Sequence, residues 1–429
     1  GILSVDGSGS CGNGAPSQDF LITIGQSTWT QKADFPGIER WSGVGFSIGD
    51  KGYLVTGAKY NNGAYICNKD LWEYDPATGI WSQKSDFGGA GRYAAVGFSI
   101  GTKGYVGWGL TGPFSYVDDF WEYDPATNAW TQKSDLGSSG SREGGVGFSI
   151  GNKGYIGTGC NHKISYGARL KDFWEYDPAA DSWTRKAVFG GSSRVAAVGF
   201  SIGLKGYLGT GLDSGYLKDF WEYDPSSNTW IQKADFGGTT RQAATGFSIG
   251  NYGYIGTGIS DDAPSGRCKD FWEYAVASDC WTKKSDFGGM ETSEATGFAI
   301  GTKGYIGCGN RSEQGQPNDF WEFDPGCKNG PGGIDEPLND MGWMQFSIYP
   351  NPNNGEFSIK VKTSTQEVFD IEIYNMLGSR VGHIQNLSVD GLLIIGEDLH
   401  EPASGMYTIV FRNNDRSVKE VASRFIVTK

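Results

Sequence analysis

Residues 146–159 read VGFSIGNKGYIGTG, and residues 172–184 continue with DFWEYDPAADSWT. These stretches contain four short runs of apolar and β-favouring residues, separated by Gly, Asn, Asp and Pro, which is the pattern of a strand meander with tight turns. The same four runs recur with a period of about 50 residues. The Trp-Glu-aromatic motif of the third run begins at Trp72, Trp121, Trp174, Trp221, Trp272 and Trp321. A four-strand unit repeated six times at this period predicts a six-bladed β-propeller.

The register of the repeat also predicts how the ring closes. A Trp-containing run around Trp29 precedes the first complete unit, whereas the sixth unit ends at Pro325 without a following Trp strand. We therefore expect the segment at Trp29 to form the outer strand of the last blade. Such closure removes the open sheet edges that a linear array would leave.

Composition agrees with an all-β chain and argues against two classes of partner. The chain has 68 Gly, and 14% of its residues are aromatic, which suits strands joined by tight turns. The net charge of −13 gives no electrostatic reason to expect nucleic acid or an anionic membrane surface as a partner. No run approaches the roughly 18 apolar residues that a membrane-spanning helix needs.

The repeat ends near Pro325 and a different pattern follows. Residues 326–345 have the composition of a linker, and short alternating runs from residue 346 predict a small Ig-like β-sandwich. The predicted regions are an N-terminal extension at 1–28, the propeller at 29–325, a linker at 326–345 and a C-terminal domain at 346–429.

The ordered strand motifs resemble the kelch family of propellers, in the Gly-rich version common among exported proteins of Bacteroidetes. The resemblance covers about 300 residues, because all four strand motifs recur in order. One departure is Gly-Thr-Gly, as at residues 157–159, where the family usually has a Gly-Gly pair. The resemblance implies a six-bladed kelch-type propeller.

The C-terminal residues resemble the sorting domain of the type IX secretion system. The motifs that carry this resemblance are Tyr349-Pro350-Asn351-Pro352, Gly355, Ile373-Tyr374-Asn375, Gly378, Gly405-Met406-Tyr407 and the terminal run 425–429. The resemblance implies export by the type IX machinery to the outer-membrane surface or the extracellular space. It also implies that such domains are commonly removed by a sortase or attached to surface lipopolysaccharide.

Seven cysteines are spread along the chain without a C-x-x-C pair, which argues against a structural zinc site. In an exported protein some of them are expected to be bridged. The candidate pairs are Cys268 with Cys280 and Cys11 with Cys327, while the odd count leaves at least one free thiol.

The face that carries the loop after each Gly-Thr-Gly is the predicted binding face, since these loops differ in length and content. The loop entering each first strand lies on the same face and carries an Arg in five of the six repeats. These residues are Arg40, Arg92, Arg142, Arg194 and Arg241, and Thr292 takes the place in the sixth. One hypothesis is a ring of guanidinium groups that binds anionic groups at the channel mouth, as the arginines of peptide-binding kelch modules do. The alternative is that each Arg bonds backbone carbonyls of its own blade or stacks on an aromatic ring.

Aromatic residues of the variable loops are the second set of candidates. Exposed rings among Gly, Ser and Asn suit stacking on sugars or contact with a protein. The candidate residues are Tyr65, Tyr116, Tyr166 and Tyr216, with Trp108 beneath them. The alternative is that these rings pack on neighbouring loops.

The sequence shows no catalytic machinery, and we expect no cofactor and no metal. Of the three histidines, His383 and His400 lie in the C-terminal domain, so His162 cannot form a His-rich site in the propeller. The Glu of each Trp-Glu-aromatic motif lies on a separate blade, and pairing with Lys or Arg of the same blade is expected. The leading hypothesis is therefore a secreted or cell-surface protein that binds a glycan or protein, not an enzyme. The alternatives are a surface-coat or filament subunit and a sugar mutarotase-like enzyme, as some kelch-type propellers are.

Overall fold

A computed structural model describes residues 27–137, 140–163, 167–311 and 317–326, together with strands between residues 339 and 427. The described residues contain no α-helix, which confirms the all-β prediction. Within them, no helix has the length and apolar character needed to cross a bilayer. The chain divides into two compact units at Gly326 and Cys327.

The first unit contains six four-stranded antiparallel sheets, so the prediction of a six-bladed propeller is confirmed. The first strands of neighbouring blades contact one another around the axis, and the other strands follow outwards in order. The strands of blade 1 are Val44–Ile48, Lys51–Val55, Leu71–Asp75 and Ile80–Lys84. Those of blade 2 are Val96–Ile100, Lys103–Gly107, Phe120–Asp124 and Ala129–Lys133. Those of blade 3 are Val146–Ile150, Lys153–Gly157, Phe173–Asp177 and Ser182–Arg185. The strands of blade 4 are Val198–Ile202, Lys205–Gly209, Phe220–Asp224 and Thr229–Lys233. Those of blade 5 are Thr245–Ile249, Tyr252–Gly256, Phe271–Ala275 and Cys280–Lys284. Those of blade 6 are Thr296–Ile300, Lys303–Gly307, Phe320–Asp324 and Thr28–Gln31.

The predicted closure of the ring is confirmed. Thr28–Gln31 pairs antiparallel with Phe320–Asp324, and Trp29 lies opposite Phe323. The Trp29 ring also packs edge-on against Phe287, with the ring centres 5.0 Å apart. The first described strand of the chain therefore completes the last blade as its fourth strand.

The hydrophobic core lies between neighbouring blades. In one such cluster, Phe98 and Phe120 of blade 2 pack with Ile156 and Tyr176 of blade 3. The repeated Gly of the second strand permits this contact, because a Cβ at Gly154 would lie 2.3 Å from the Phe98 ring. The Phe of the Gly-Phe motif on one blade therefore packs against the Gly of the Gly-Tyr motif on the next blade.

The carboxylate of the Trp-Glu-aromatic motif is used within its own blade. In blade 3, Tyr155 donates a hydrogen bond of 2.5 Å to Glu175 Oε2. Lys186 Nζ lies 3.2 Å from the same oxygen. This pairing with Lys is the one expected from the sequence.

The second unit contains two four-stranded antiparallel sheets. In spatial order, the strands of the first sheet are Asn339–Asp340, Met344–Tyr349, Glu356–Thr363 and Leu392–Asp398, and those of the second are Arg380–Val389, Glu367–Tyr374, Gly405–Asn413 and Glu420–Val427. The Ig-like sandwich and the four predicted region boundaries stay predictions.

The proposed Cys268–Cys280 bridge is wrong. Cys268 is a free, buried thiol, whereas Cys280 is disulfide-bonded. The two residues lie at opposite ends of the strand Phe271–Ala275, with Cys280 opposite Ala275. At about 3.3 Å per residue that strand separates them far beyond the reach of a disulfide. Cys11 and Cys327 lie outside the described residues.

Candidate functional site

Each blade joins its two loops of the variable face by an antiparallel bridge. The residue that follows the repeated Arg pairs with the residue that follows Gly-Thr-Gly or its equivalent. The bridged pairs are Trp41–Ala58, Tyr93–Leu110, Glu143–Cys160, Val195–Leu212, Gln242–Ile259 and Ser293–Asn310. The two loops predicted to share a face therefore do so, and the bridges fix the register between them.

All five repeated arginines lie inside the propeller with no exposed surface. In blade 3, Arg142 donates from Nη1 and Nη2 to the two carboxylate oxygens of Asp172, at 3.0 and 2.8 Å. Its Nε donates to the carbonyl of Gly140 and its Nη1 to that of Thr158. The same bidentate pairing recurs as Arg40–Asp70, Arg92–Asp119, Arg194–Asp219 and Arg241–Asp270.

The aspartates and nearby rings complete this buried layer. Asp172 also accepts a hydrogen bond of 2.7 Å from the indole of Trp174. Burial alone would raise the pKa of Asp172, but the charge and hydrogen bonds of Arg142 outweigh it and hold that pKa below its ordinary value. Four of the guanidinium groups lie 4.6 to 4.8 Å from the centre of a phenylalanine ring. We call these residues the arginine–aspartate layer.

Blade 6 keeps the aspartate but replaces the arginine. Thr292 is buried at the arginine position. Arg311, from the variable loop of the same blade, brings its Nη2 within 2.5 Å of Asp319 Oδ2. The blade therefore restores the ion pair from a different place in the sequence.

Each repeated arginine is thus engaged by carbonyl and carboxylate oxygens of its own blade. A ligand anion would have to displace an aspartate that two N–H groups already hold. We therefore leave the five arginines out of the proposed binding site.

The predicted aromatic residues occupy different environments. Trp108 has no exposed surface and packs on Phe120 and Trp183. Tyr116 is 7% exposed and donates a hydrogen bond to Glu143. Tyr65 is 40% exposed, and Tyr216 is partly buried. Tyr166 lies outside the described residues.

A pocket of about 280 Å³ lies at the mouth of the channel on this face. Its lining includes Trp41, Tyr93, Glu143 and Val195, each of which directly follows a repeated arginine. The next residue of each blade also lines it, and these residues are Ser42, Ala94, Gly144, Ala196, Ala243 and Glu294. We call this pocket the mouth pocket.

A closed ring of backbone hydrogen bonds forms the rim of the mouth pocket. The amide of each residue in the second set donates to the carbonyl of its neighbour in the preceding blade, at 2.8 to 3.1 Å. All six residues have positive φ angles, for example 53° at Ala196 and 56° at Glu294. Left-handed backbone is unfavourable for residues other than Gly, so the ring holds these positions in a conformation that an isolated loop would not keep.

The side chains around the mouth pocket are unevenly distributed. Trp41 and Tyr93 meet edge to face with ring centres 5.0 Å apart, and Tyr65 stacks on Tyr93 at 5.4 Å. Glu294 precedes this aromatic group around the ring and Glu143 follows it. On the other side, Val195, Ala196 and Ala243 present only small or apolar groups. Four neighbouring blades therefore give the rim aromatic and acidic side chains, and the other two blades give it apolar ones.

Both mouth carboxylates are held by neighbouring donors. Tyr116 donates to Glu143 Oε1 at 2.9 Å. Ser42 Oγ and Asn310 Nδ2 donate to the two oxygens of Glu294, at 3.4 and 3.3 Å. Burial raises the pKa of Glu143 and of Glu294, and the hydrogen bonds only partly offset this effect.

A second cavity of about 300 Å³ lies beside blade 3 and is lined by Phe114, Tyr116, His162 and Lys163. Next to it, the side chains of Glu143, Cys160 and His162 converge, with one oxygen, sulfur or nitrogen atom of each lying within 4.8 Å of the others. Counting histidines missed this cluster, because its three residues are of different types.

Sequence reasoning also missed Trp41, Tyr93 and Glu294. For Trp41 and Tyr93 the available signal was the residue after each repeated arginine, which differs in every blade: Trp41, Tyr93, Glu143, Val195, Gln242 and Ser293. For Glu294 it was the next position, which holds a small residue in the other five blades. The predicted aromatic candidates came only from the loops after Gly-Thr-Gly, so the residues that follow the arginine were missed.

Comparison with known proteins identifies the C-terminal unit. A family model described as "Secretion system C-terminal sorting domain" matches residues 347–428. The C-terminal residues are a sorting domain of this kind. The predicted sorting domain is thereby confirmed, and it implies export to the cell surface or beyond it.

The propeller resembles solved structures in fold alone. The structure titled "Structure of YjhT" matches with a TM-score of 0.55 at 15% identity, over 67% of this chain and 95% of that chain. No curated protein matches the chain significantly. A fold shared at this identity does not specify an activity, which depends on the residues of the site itself.

Proposed function

We propose that this exported protein binds a glycan at the mouth pocket. The observation that carries the proposal is the partly exposed ring of Trp41, packed on the nearly buried Tyr93, between two carboxylates, Glu294 and Glu143, around one concave opening. Aromatic faces take the apolar C–H surface of a sugar ring, and carboxylates accept hydrogen bonds from its hydroxyl groups. The kelch-type scaffold supports the proposal by presenting these groups on a rigid ring.

The size of the mouth pocket favours one sugar residue of a larger chain. A cavity of about 280 Å³ is slightly smaller than the usual range for small-molecule sites, which begins at about 300 Å³. Outside the pocket, Tyr60 is 54% exposed and contacts Tyr65 with ring centres 5.2 Å apart. These rings extend the aromatic surface away from the axis, where a second sugar residue of the glycan would lie.

The test is a glycan array probed with the full chain, followed by affinity measurements on variants. Trp41→Ala should weaken binding about tenfold or more, because a central aromatic anchor commonly contributes about 2 kcal/mol. Glu294→Gln, which keeps the shape but removes the charge, should weaken it less. Leu204→Ala is the matched control, since Leu204 is 72% exposed on the turn between the first two strands of blade 4.

Two results would contradict the proposal. Glycan binding that survives Trp41→Ala unchanged would place the ligand elsewhere on the propeller. An array without any glycan ligand, together with retention of one surface protein that Trp41→Ala abolishes, would assign the mouth pocket to a protein partner instead.

The two mouth carboxylates favour one second candidate, a sugar mutarotase-like activity. Such a reaction needs one acid and one base near the ring oxygen and the anomeric hydroxyl, and raised pKa values suit carboxyl groups to that work. Anomer exchange followed by NMR with the chain present would test it. The Glu143→Gln and Glu294→Gln variants should each abolish an acceleration that belongs to this pocket.

A further inference from the structure

The convergence of Glu143, Cys160 and His162 follows from the backbone. Glu143 lies opposite Cys160 in an antiparallel bridge, and its amide and carbonyl both bond to those of Cys160, at 3.0 and 2.9 Å. His162 follows Cys160 by two residues, where the chain enters a turn, and its imidazole lies near both the Cys160 thiol and the Glu143 carboxylate. Three residues of metal-binding type thus face one another from two connected loops.

The distances are close to those of a metal site. The three candidate ligand atoms lie within 4.8 Å of one another, and Glu143 Oε1 is 3.8 Å from His162 Nε2. In a tetrahedral zinc site with bonds of about 2.0–2.3 Å, ligand atoms are separated by roughly 3.3–3.7 Å. A side-chain movement of about 1 Å would bring the two most distant ligand atoms to the separation of a zinc site. The backbone bridge between Glu143 and Cys160 would not have to change.

We propose that Glu143, Cys160 and His162 bind one Zn²⁺ ion on the variable face of blade 3. Thiolate, imidazole and carboxylate are all ligands of zinc, and the presence of sulfur disfavours Mg²⁺ and Ca²⁺. A thiolate and a carboxylate also balance the two positive charges of the ion. The site shares Glu143 with the mouth pocket but goes beyond the proposed glycan binding, because it needs none of the aromatic residues of that pocket.

The surrounding residues fit a metal with one open position. The cavity beside His162 has room for a water molecule or a ligand oxygen as the fourth group. Tyr116 holds Glu143 by its hydrogen bond, and the Phe114 ring lies 5.4 Å from the imidazole. When Nε2 binds the ion, the imidazole proton moves to Nδ1, which gives up its long 3.3 Å contact with the Gly167 amide.

The cluster is not a by-product of the repeat. The equivalent positions in blade 1 hold Trp41, Ala58 and Tyr60, and those in blade 4 hold Val195, Leu212 and Ser214. The remaining three sets are Tyr93, Leu110 and Gly112; Gln242, Ile259 and Asp261; and Ser293, Asn310 and Ser312. Blade 3 alone has a carboxylate, a thiol and an imidazole together at these positions of the sequence.

The experiment measures metal on the full chain, with its thiols kept reduced by a phosphine. After loading with Zn²⁺ and desalting, elemental analysis should find one zinc per chain. Loading with Co²⁺ instead should give the intense near-ultraviolet band of a cobalt–thiolate bond. Cys160→Ala should abolish that band, and His162→Gln should lower zinc affinity by at least about tenfold, the lower end of what even an outer-shell change costs.

Cys268→Ser is the matched control, because Cys268 is also a buried free thiol but lies in blade 5. It should keep both the zinc and the cobalt band. Absence of zinc from the wild-type chain, or full zinc affinity in His162→Gln, would overturn the proposal. If Cys160→Ala fails to fold, His162→Gln decides alone, since its ring lies beside a cavity. None of these measurements depends on glycan binding.

Discussion

Two adjacent residues in the same loop of each blade show opposite behaviour. The first, as in Arg142, is identical in five blades, has no exposed surface and is bonded within its blade. The second, as in Glu143, differs in all six blades, and four of the six line the mouth pocket. Repetition within this propeller therefore marks architecture, whereas variation beside a repeated residue marks a candidate binding position.

The physical reason lies in what each position can contact. The arginine reaches a carbonyl and an aspartate that every blade presents in the same place, so one solution serves five blades. The following residue contacts the shared opening at the axis, where six identical side chains would crowd one another. The same side chain can therefore be used in every blade of the arginine–aspartate layer, whereas the residues at the mouth pocket have to differ between blades.

Removal of one arginine is the largest effect we expect. Arg194→Ala should lower the free energy of unfolding by about 3–5 kcal/mol, because Asp219 would remain largely buried without its charge partner. Urea denaturation of both proteins measures the difference. Arg185→Ala is the control, since this exposed arginine of an outer strand has a cation–π contact with Trp174 that should contribute no more than about 1 kcal/mol. A loss below about 1 kcal/mol for Arg194→Ala would remove the arginine–aspartate layer from its architectural role.

The sixth blade should give a smaller effect. Arg311 is 13% exposed and brings one nitrogen to Asp319 rather than a bidentate pair. Arg311→Ala should therefore cost about 1.5–3 kcal/mol, the usual contribution of a hydrogen bond to a charged group. Urea denaturation beside Arg194→Ala makes the comparison direct. An equal or greater loss at Arg311 would show that bidentate geometry and full burial do not set the stability of this layer.

The fold could be predicted because its information is local and repeated. Each strand motif occurs in six copies, so the pattern could be recognised although single blades differ from it. The Trp29 run precedes the first complete repeat, and this position predicted that it closes the ring as the last strand of blade 6. The role of the arginines was left open, because their partners lie 25 to 30 residues away in sequence. The presence of Asp319 in the blade that lacks the arginine was the available hint that another cation completes the pair.

The candidate site was harder to predict for a related reason. Cys160 and His162 become a cluster only when the bridge brings Glu143 beside them, and that register is a tertiary fact. Likewise, Trp41 and Tyr93 belong to different blades and meet only around the axis. The Cys268–Cys280 pair failed because closeness in sequence says little when a whole strand lies between.

Acid should act in opposite directions on the arginine–aspartate layer and on the mouth pocket. The pKa of Asp219 is lowered in the folded state, so its contribution is present above the unfolded pKa of about 3.9 and is lost as the pH falls. The pKa of Glu294 is raised by burial, so its charge opposes folding as the pH rises through the unfolded value. Glu294→Gln should therefore stabilise the chain at neutral pH, by less than about 1 kcal/mol.

The check on this prediction is the pH dependence of the difference between the two proteins. Urea denaturation should show the gain of Glu294→Gln at about pH 7 and its disappearance near pH ~4, where the wild-type carboxyl is protonated. Asp219→Asn should behave in the reverse manner, with a loss at neutral pH that shrinks in acid. If the changes in unfolding free energy of the two variants depended on pH in the same way, the proposed difference between the arginine–aspartate layer and the mouth pocket would be wrong.

The smallest effect we expect concerns the ring of left-handed residues, each of which directly follows the variable position. Ala196 has φ 53°, and Gly144 occupies the same place in blade 3 with φ 56°. Ala196→Gly relieves a left-handed conformation that costs about 1–2 kcal/mol, but it adds freedom to the unfolded chain worth about 0.4–1 kcal/mol. The net change in unfolding free energy should be a gain of about 1 kcal/mol or less.

The reverse exchange at the same place in blade 3 should have the opposite effect. A Cβ at Gly144 would lie 2.8 Å from Val195 Cγ2, so Gly144→Ala should destabilise the chain while Ala196→Gly does not. Both changes leave the side chains of Trp41 and Tyr93 untouched, and Ala196→Gly should therefore bind the glycan as the wild type does. A loss of binding in Ala196→Gly would mean that the strained ring itself, and not only the variable side chains on it, sets the shape of the mouth pocket.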